Sequence, residues 1–319
     1  MIMIFAHKSV LLNECIEALD IKPNGIYVDC TAGGGGHSSE ILKRLTNGLL
    51  IDIDKDVEAL QTCKDRLGNK NVKYVHSDFK NLPTILDELQ VDKVDGILAD
   101  LGVSSYQIDN PDRGFSYMAK GAPLDMKMDS SQALSAYEVV NTYDEYKLFS
   151  IIRDYGEEKF AKQIARNIVL ERKLHAITTC GQLVEIIDKS IPYSVKKKGG
   201  HPAKRTFQAL RIEVNGELDG LDEFLRQAVA RLNNGGRIAV ITFHSLEDRI
   251  VKHCFSDLAT DCVCPPNLPV CVCNHRAQGS LYNRKPILPT DEEIASNSRS
   301  QSAKLRVFTK SNNFQGGEI

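Results

Sequence analysis

The sequence predicts an α/β fold in which a parallel, doubly wound sheet carries a helical insertion. Strand-like apolar runs alternate with helix-like runs through the first third of the chain, and a glycine-rich turn joins the first strand to its helix. The alternation stops near Gln107 and resumes after Lys204. Short connections of this kind join parallel strands through right-handed crossovers. We therefore expect one discontinuous α/β domain, residues 1–106 and 205–319, with residues 107–204 as the insertion.

The individual strands are predicted where short apolar runs are bounded by turn residues, and the helices where apolar side chains recur with helical spacing. The predicted strands are 26–29, 49–53, 72–76, 96–100, 237–243 and 305–308. The predicted helices outside the insertion are 37–45, 57–67, 82–89, 218–232 and 246–255. The last strand is expected at an edge of the sheet. Within the insertion, Phe160, Ile164 and Ile168 recur one turn apart, and Thr178 or Thr179 is placed to cap a further helix.

The composition of the chain sets its broad class. With 319 residues, of which 42% are hydrophobic and 26% charged, it has the make-up of a soluble globular protein. No apolar run is long enough to cross a bilayer, and we identify no signal peptide. Nine cysteines without an export signal are expected as reduced thiols in the cytoplasm. The net charge of −2 excludes a global basic field, so any nucleic-acid contact must come from a local patch.

A glycine-packed turn indicates a nucleotide-type ligand. Residues 29–38 read DCTAGGGGHS, and Asp54 follows the next predicted strand. Such glycines let backbone N–H groups approach a ligand, and an acid after the second strand can bind both ribose hydroxyls. A dinucleotide fingerprint has a third glycine where this chain has Ser38. A nicotinamide-dependent oxidoreductase is therefore the weaker enzyme alternative.

The fourth predicted strand ends in Asp100, beside the glycine turn in the expected topology. An acid at the end of a buried apolar strand is costly unless it has a partner, which favours a functional role. S-adenosylmethionine methyltransferases place groups that position the acceptor at this point. Such a reaction requires an aligned nucleophile, exclusion of water and a proton acceptor. The residues alone leave open an RNA, a DNA or a protein amine as acceptor.

Ordered blocks along nearly the whole chain resemble the RsmH (MraW) family of bacterial 16S rRNA cytosine-N4 methyltransferases. The blocks are HKSVLLNE from His7, the glycine turn, DLGVSS from Asp100 with Gln107, RGFS from Arg113, PLDMKMD from Pro123, YGEEKFA from Tyr155, HPAKRTFQA from His201 and FHSLEDR from Phe243. The resemblance implies a Rossmann-like class I methyltransferase fold whose insertion recognises the substrate. It also implies S-adenosyl-L-methionine as methyl donor and one decoding-site cytidine of 16S rRNA, within the small ribosomal subunit, as acceptor. No membrane partner is expected, and the oligomeric state is left open, with a dimer as one alternative. A non-catalytic ribosome-assembly factor that keeps the same fold is the alternative of another class.

The resemblance also implies a set of cofactor contacts. They are Gly35, Gly36 and His37 at the methionine moiety, Asp54 at the ribose, Phe79 at the adenine, and Asp100 and Gln107 as the remaining contacts. Three of these assignments have structural alternatives. The glycines can serve turn geometry alone, Asp54 can cap the next helix in competition with Asp56, and Phe79 can be an ordinary core residue.

Catalysis is assigned to Asp100. Many exocyclic-amine methyltransferases carry an (Asp/Asn)-Pro-Pro-(Tyr/Phe) element after this strand, whereas this chain has Asp100-Leu101-Gly102-Val103. The hydrogen-bond acceptors are retained, as the Asp100 carboxylate and the Leu101 carbonyl, but the aromatic that stacks on the base is missing. Whether Asp100 contacts the substrate as well as the cofactor is therefore left open.

Further polar residues are weaker candidates for the site. Asp125 and Asp129 lie one helical turn apart and can either hold the cytidine amine or belong to a helix face or caps. His7, His201 and His244 are candidates for the crevice, although a lone histidine more often makes a structural hydrogen bond.

RNA contact is expected from the segment 196–205, KKKGGHPAKR, at the return from the insertion. Its lysines and glycines suit phosphate binding, although a charge run is often only a solvated face. Lys159, Lys162 and Arg166 are expected to extend this surface.

Cys262-x-Cys264 and Cys271-x-Cys273, with His275 nearby, admit a zinc site. The alternative is a proline-braced loop with free thiols. The resemblance implies no metal, and none is predicted.

Overall fold

The computed structural model describes residues 9–196, 200–265, 268, 270–273 and 275–311. The chain divides into two compact units. The first, an α/β unit, contains the chain up to Gly102 and from Gly220 onward, and the second, a helical unit, is Val103–Asp219. None of the helices in the described ranges is both long and apolar enough to span a membrane.

The sheet of the first unit has seven strands among the described residues. They are β1 (Ile26–Asp29), β2 (Leu49–Asp54), β3 (Val72–His76), β4 (Val94–Asp100), β5 (Leu232–Thr242), β6 (Gly279–Leu281) and β7 (Lys304–Lys310). Their order is β3-β2-β1-β4-β5-β7-β6. The first five strands pair in parallel, and β7 is antiparallel to both of its neighbours. The predicted α/β fold class is thereby confirmed.

Fourteen α-helices lie in the described residues, and they occur in both units. They are α1 (Leu12–Leu19), α2 (Gly36–Leu42), α3 (Val57–Leu67), α4 (Leu82–Glu88), α5 (Ser105–Asp109), α6 (Ala136–Thr142), α7 (Glu145–Asp154), α8 (Ala161–Glu171), α9 (Cys180–Ser190), α10 (Tyr193–Lys196), α11 (Lys204–Asn215), α12 (Leu221–Ala230), α13 (Ser245–Leu258) and α14 (Asp291–Ser296).

Apolar side chains cover both faces of the sheet in the first unit. Because successive residues of a strand point to opposite faces, Leu50 and Leu98 join a cluster with α1 and α2, whereas Ile51 and Ile97 join a cluster with α4, α12 and α13. All four side chains are fully buried. Strands buried on both faces are typical of parallel sheets, and this core fixes the positions of the strand ends.

The late strand differs from its expected place at an edge. β7 lies between β5 and β6, so among the described strands β6, not β7, forms this edge of the sheet, and β3 forms the other. β6 is only three residues long and falls in the proline- and cysteine-rich stretch for which no strand was expected. Its pairing with β7 depends on a long-range contact, which local sequence signals do not carry.

The second unit is built around its own apolar cluster, which includes Ile164, Ile168 and Leu183. The predicted cap at Thr179 is confirmed, since its side chain accepts the Gln182 N–H at the start of α9. The chain passes from one compact unit to the other between Gly102 and Val103 and between Asp219 and Gly220, whereas the boundaries were expected at 106/107 and 204/205. α11, which was expected in the α/β domain, lies in the second unit because its Phe207 packs in this same cluster.

Candidate active site

Three neighbouring strands of the first unit end in aspartate. Asp29 ends β1, Asp54 ends β2 and Asp100 ends β4. Because β1 pairs in parallel with both β2 and β4, the three carboxyl groups lie at one edge of the sheet. The strand order reverses between β1 and β4. Ligands of open α/β sheets bind outside the carboxyl ends of the strands at such a reversal.

The glycine turn follows β1 at this edge. Gly35 has φ +71°, a left-handed conformation that favours glycine, and a Cβ there would lie 2.9 Å from Cys63 Sγ. A Cβ on Gly36 would collide with Ser9 Oγ. Packing therefore accounts for both of these glycines. Gly34 has neither constraint, since a Cβ would meet no atom of the described residues within 4 Å, and its carbonyl accepts a hydrogen bond from Arg66 at 3.0 Å. The turn thus keeps open space at Gly34.

Asp54 is held by the glycine turn and by the chain that follows it. Its Oδ2 accepts the Gly33 N–H at 2.8 Å, and its Oδ1 accepts the Asp56 N–H at 2.8 Å. Asp56 is the residue that caps α3, by accepting the Glu58 N–H. Burial raises the pKa of Asp54 to about 6, against the effect of the two N–H donors. Each carboxylate oxygen retains a lone pair for a further donor, such as a ribose hydroxyl.

A buried pair of acids lies beneath the turn, and sequence reasoning had not identified it. Ser38 Oγ is 2.7 Å from Asp29 Oδ2 and 3.0 Å from Asp52 Oδ1, and Cys63 Sγ donates to the other Asp52 oxygen at 3.1 Å. A hydroxyl carries only one hydrogen, so both contacts of Ser38 are hydrogen bonds only when one carboxyl is protonated. Burial raises the pKa of Asp29 to about 6 and that of Asp52 to about 7, and the charge of Asp29 adds to the rise at Asp52.

This pair predicts a pH-dependent stability. Because the folded-state pKa values lie above the ordinary value near 4, the pair's contribution is complete below about pH 4 and is lost as pH rises through about 6 to 7. In Asp52→Asn the amide donates to Ser38 permanently, so the free energy of unfolding should fall less with rising pH than in the wild type. Denaturant titrations at several pH values measure this. Asp65→Asn, an exposed position on α3, is the control, and an unchanged pH slope in Asp52→Asn would contradict the shared proton.

His37 is fixed next to Asp100. Its Nε2 donates to the Val10 carbonyl at 3.0 Å, and its Nδ1 lies 3.9 Å from Asp100 Oδ2. Burial lowers the pKa of His37 to about 4, so the ring is neutral at physiological pH. A neutral ring at this distance supplies Asp100 with neither a hydrogen bond nor a compensating charge.

Asp100 therefore keeps an unsatisfied oxygen. Its backbone N–H donates to Thr31 Oγ1 at 2.6 Å, but its carboxyl Oδ1 is buried and has no hydrogen-bond partner among the described residues. Burial raises the pKa of Asp100 well above its ordinary value, and the negative charges of Asp29 and Glu247 raise it further. Such an oxygen requires a hydrogen-bond donor, which an ordered water or a bound ligand can supply. Three features of this edge of the sheet suit a cationic, nucleoside-containing cofactor. They are the Asp100 carboxyl, the space at Gly34 and the remaining lone pairs of Asp54.

Phe79 and Gln107 are placed differently from these residues. Phe79 begins a short 3₁₀ helix after β3 and is half-buried, with its ring centroid 4.6 Å from that of Phe224. It contacts the core and retains some exposure. Gln107 lies in the second unit, where its side chain closes a capping box with Ser104 at the start of α5.

The weaker candidates mostly make local hydrogen bonds. Asp125 and Asp129 lie in turns, not on a helix, and accept the backbone N–H groups two residues ahead of them. His201 stacks on Tyr117 at 4.5 Å in the second unit. His244 caps α13 by accepting the Glu247 N–H, while its Nε2 lies 3.1 Å from Glu247 Oε1.

The expected RNA-binding segment is only partly described. Lys196 forms an ion pair with Asp188 at 2.7 Å. Lys197 and Lys198 lie outside the described residues, as does His7. Lys162 is exposed on α8.

The chain is similar to known proteins along almost its whole length. The profile of the MraW methylase family matches residues 4–311. "Ribosomal RNA small subunit methyltransferase H" of Clostridioides difficile (strain 630) is 56% identical over 311 residues, which are 97% of this chain and 100% of that protein. The protein of the same name from Clostridium botulinum (strain Kyoto / Type A2) is 57% identical over 310 residues, again 97% and 100% of the two chains.

Solved structures give weaker similarities. An rRNA methylase from Streptococcus thermophilus has 12% identity and a TM-score of 0.39, over 94% of each chain. NSun6 from Pyrococcus horikoshii, solved with SFG, has 15% identity and a TM-score of 0.43, over 96% of this chain and 53% of the other. The family profile and the close relatives decide between the enzyme classes left open by the sequence, and a nicotinamide-dependent oxidoreductase is set aside. The family resemblance found in the sequence is confirmed, and the chain belongs to the MraW methylase family.

Proposed function

We propose that this protein transfers a methyl group from S-adenosyl-L-methionine to the exocyclic N4 amine of one decoding-site cytidine in 16S rRNA. Membership of a methylase family supports methyl transfer, and the names of the close relatives support small-subunit rRNA as substrate. The single observation that carries the chemistry is the unpartnered, buried Oδ1 of Asp100 at the reversal of strand order. The cytidine and its N4 position come from the resemblance to the 16S rRNA cytosine-N4 methyltransferases.

In this proposal the first unit holds the methyl donor. Asp54 binds the ribose hydroxyls through its remaining lone pairs, and the backbone at Gly34 to Gly36 lies against the methionine moiety. The exposed part of the Phe79 ring lines the adenine pocket. His37 and Asp100 complete the contacts proposed for this unit, and Gln107 is a contact that only the family resemblance implies. When bound, S-adenosylmethionine supplies a methyl group activated by its sulfonium charge.

Asp100 then prepares the amine for transfer. Cytosine N4 is a poor nucleophile because its lone pair is delocalised into the ring. By accepting an N4 hydrogen, Asp100 Oδ1 helps localise that lone pair, and in this proposal the Leu101 carbonyl accepts the second hydrogen. As the methyl carbon passed from the sulfonium sulfur to N4, the S–C bond would break, the demethylated thioether would leave, and the amine would lose one proton, which Asp100 would take. The raised pKa of Asp100 makes its carboxylate a better proton acceptor than an ordinary one.

The helical unit is proposed to contact the RNA. Lys162 and Arg166 are exposed and share one side of α8, because residues four apart lie on the same helix face, and the exposed Lys159 lies in the turn just before this helix. Together with the segment 196–205 they offer positive charge for phosphates. The target base must also leave its stack to reach Asp100, which costs a few kcal/mol. We propose the small ribosomal subunit, in the cytoplasm, as the setting of the reaction.

The function is tested by product mapping. Purified protein is incubated with isotopically labelled S-adenosylmethionine and small ribosomal subunits that lack the modification, with free 16S rRNA in parallel. Mass spectrometry of the digested RNA is expected to show one N4-methylcytidine at the decoding site. A label on another atom, on another nucleotide or on a ribosomal protein would contradict the proposal.

A further inference from the structure

Four cysteine sulfurs of the first unit converge after α13. Cys271 Sγ lies 3.5 Å from Cys262 Sγ, 3.5 Å from Cys273 Sγ and 4.0 Å from Cys264 Sγ, and Cys262 and Cys273 are 3.8 Å apart. All four sulfur atoms lie within 4.8 Å of one another. Two C-x-C pairs separated by six residues therefore form one compact group.

The spacing of these sulfurs matches a tetrahedral metal site. A Zn–S bond of about 2.3 Å places the corners of a regular tetrahedron about 3.8 Å apart. Bonded sulfurs in a disulfide lie only about 2.05 Å apart, well below the distances found here. The sulfurs thus stand at the corners of a metal tetrahedron, not in two disulfide pairs.

We propose that Cys262, Cys264, Cys271 and Cys273 bind one structural Zn²⁺ ion. A tetrahedral set of four thiolates selects zinc or iron over cations that prefer oxygen ligands. Four protein ligands also close the coordination sphere, which is typical of a structural zinc and not of a catalytic one.

The contacts around the cysteines support the same assignment. The Val272 N–H donates to Cys264 Sγ at 3.4 Å, the kind of outer contact that orients a thiolate ligand. His275 is not part of the group, because its Nε2 faces Asp257 of α13 at 3.8 Å. The four cysteines therefore suffice as ligands.

The loop needs such a cross-link because it has little core of its own. Val263, Val270 and Val272 are 55%, 69% and 72% exposed. A short segment that buries so little apolar surface cannot offset its loss of conformational entropy, and a bound metal can supply the difference. The far end of the segment is attached to the unit, since Ala277 N–H donates to Asp261 Oδ1 and Gln278 N–H donates to the Leu258 carbonyl. The metal would complete this attachment at the cysteine end.

Metal analysis tests the proposal on the full chain. Protein produced in zinc-containing medium and purified without a metal-binding tag is expected to contain about one zinc per chain. The variant Cys264→Ser/Cys271→Ser removes one ligand from each pair and should lose the zinc. Val272→Ala, in the same loop with an exposed side chain, is the matched control and should retain it.

A second measurement does not depend on the folding of a variant. Wild-type protein stripped of metal and loaded with Co²⁺ should show the intense visible bands of tetrahedral cobalt thiolate. Its four loop cysteines should resist alkylation until a chelator is added. Negligible zinc in the wild type or equal zinc in the double variant would overturn the proposal. Iron in place of zinc would overturn the identity of the metal.

Discussion

Asp100→Asn is expected to lower the rate of methyl transfer on bound substrate by about 10²- to 10⁴-fold, the range typical of a lost general base. The amide retains the shape of the side chain, but it cannot take the proton that the amine releases. It also presents either an oxygen or an N–H group at the position of Oδ1, which has no partner among the described residues. Single-turnover kinetics at saturating donor and RNA measure this step apart from binding.

The pH profile separates a proton acceptor from a merely structural residue. Because the pKa of Asp100 is raised, the wild-type rate should increase with pH as the carboxylate forms. Asp100→Asn should lack that rising limb. Asp92→Asn, an exposed acid just before the same strand, is the control, and it should keep both the rate and the profile. A near-normal rate in Asp100→Asn would show that the group accepting the proton lies elsewhere.

Much of the α/β unit follows from local sequence signals. The strands at 26–29 and 72–76 and the helix at 57–67 begin and end as predicted. For the helix the reason is local, because Asp56 caps its start and Gly68, with φ +72°, ends it. Signals of this kind act within a few residues, so a single sequence is enough to locate them.

Elements that depend on distant partners were not predictable in the same way. α1 was not predicted. It begins after Leu11, whose φ is +51° and whose N–H is held at 2.8 Å by Glu293, far along the chain. β5 begins earlier than expected, at Leu232, because the chain at 233–236 stays beside β4 through a shift in register. Neither contact can be predicted from the residues of α1 or of β5 alone.

In the candidate site, too, the residues marked by local signals were predicted, and the contacts between distant segments were not. Asp54 and Asp100 were predicted because each acid ends an apolar strand, and both lie at the expected edge. The pairing of Asp29 with Asp52 through Ser38 joins three segments and was missed. One signal was available, since an acid within the apolar strand at Asp52 must find a partner. The packing reasons for Gly35 and Gly36 involve Cys63 and Ser9, which only the structure brings near the turn.

Asp54→Asn is expected to weaken binding of S-adenosylmethionine roughly a hundredfold. Two hydrogen bonds from ribose hydroxyls to a charged acceptor contribute about 3 kcal/mol together, which corresponds to that change in Kd. Isothermal titration calorimetry with the donor, or with its demethylated product, measures the affinity. Asp56→Asn is the matched control, because asparagine caps a helix as well as aspartate does. Its affinity should be that of the wild type.

The loss must be separated from damage to the turn, since Asp54 also accepts the Gly33 and Asp56 N–H groups. A ligand that lacks one ribose hydroxyl makes this distinction. If Asp54 binds the ribose, the wild type should favour S-adenosylhomocysteine over its 2′-deoxy or 3′-deoxy analogue, and Asp54→Asn should lose much of that preference. If the variant weakens binding of all three ligands equally, Asp54 acts only by holding the glycine turn. Each Asp54 carboxylate oxygen already accepts one N–H group, so a ribose hydroxyl has to bind at the remaining lone pair. The ribose assignment therefore requires that the loss of affinity in Asp54→Asn depend on the ribose hydroxyls of the ligand.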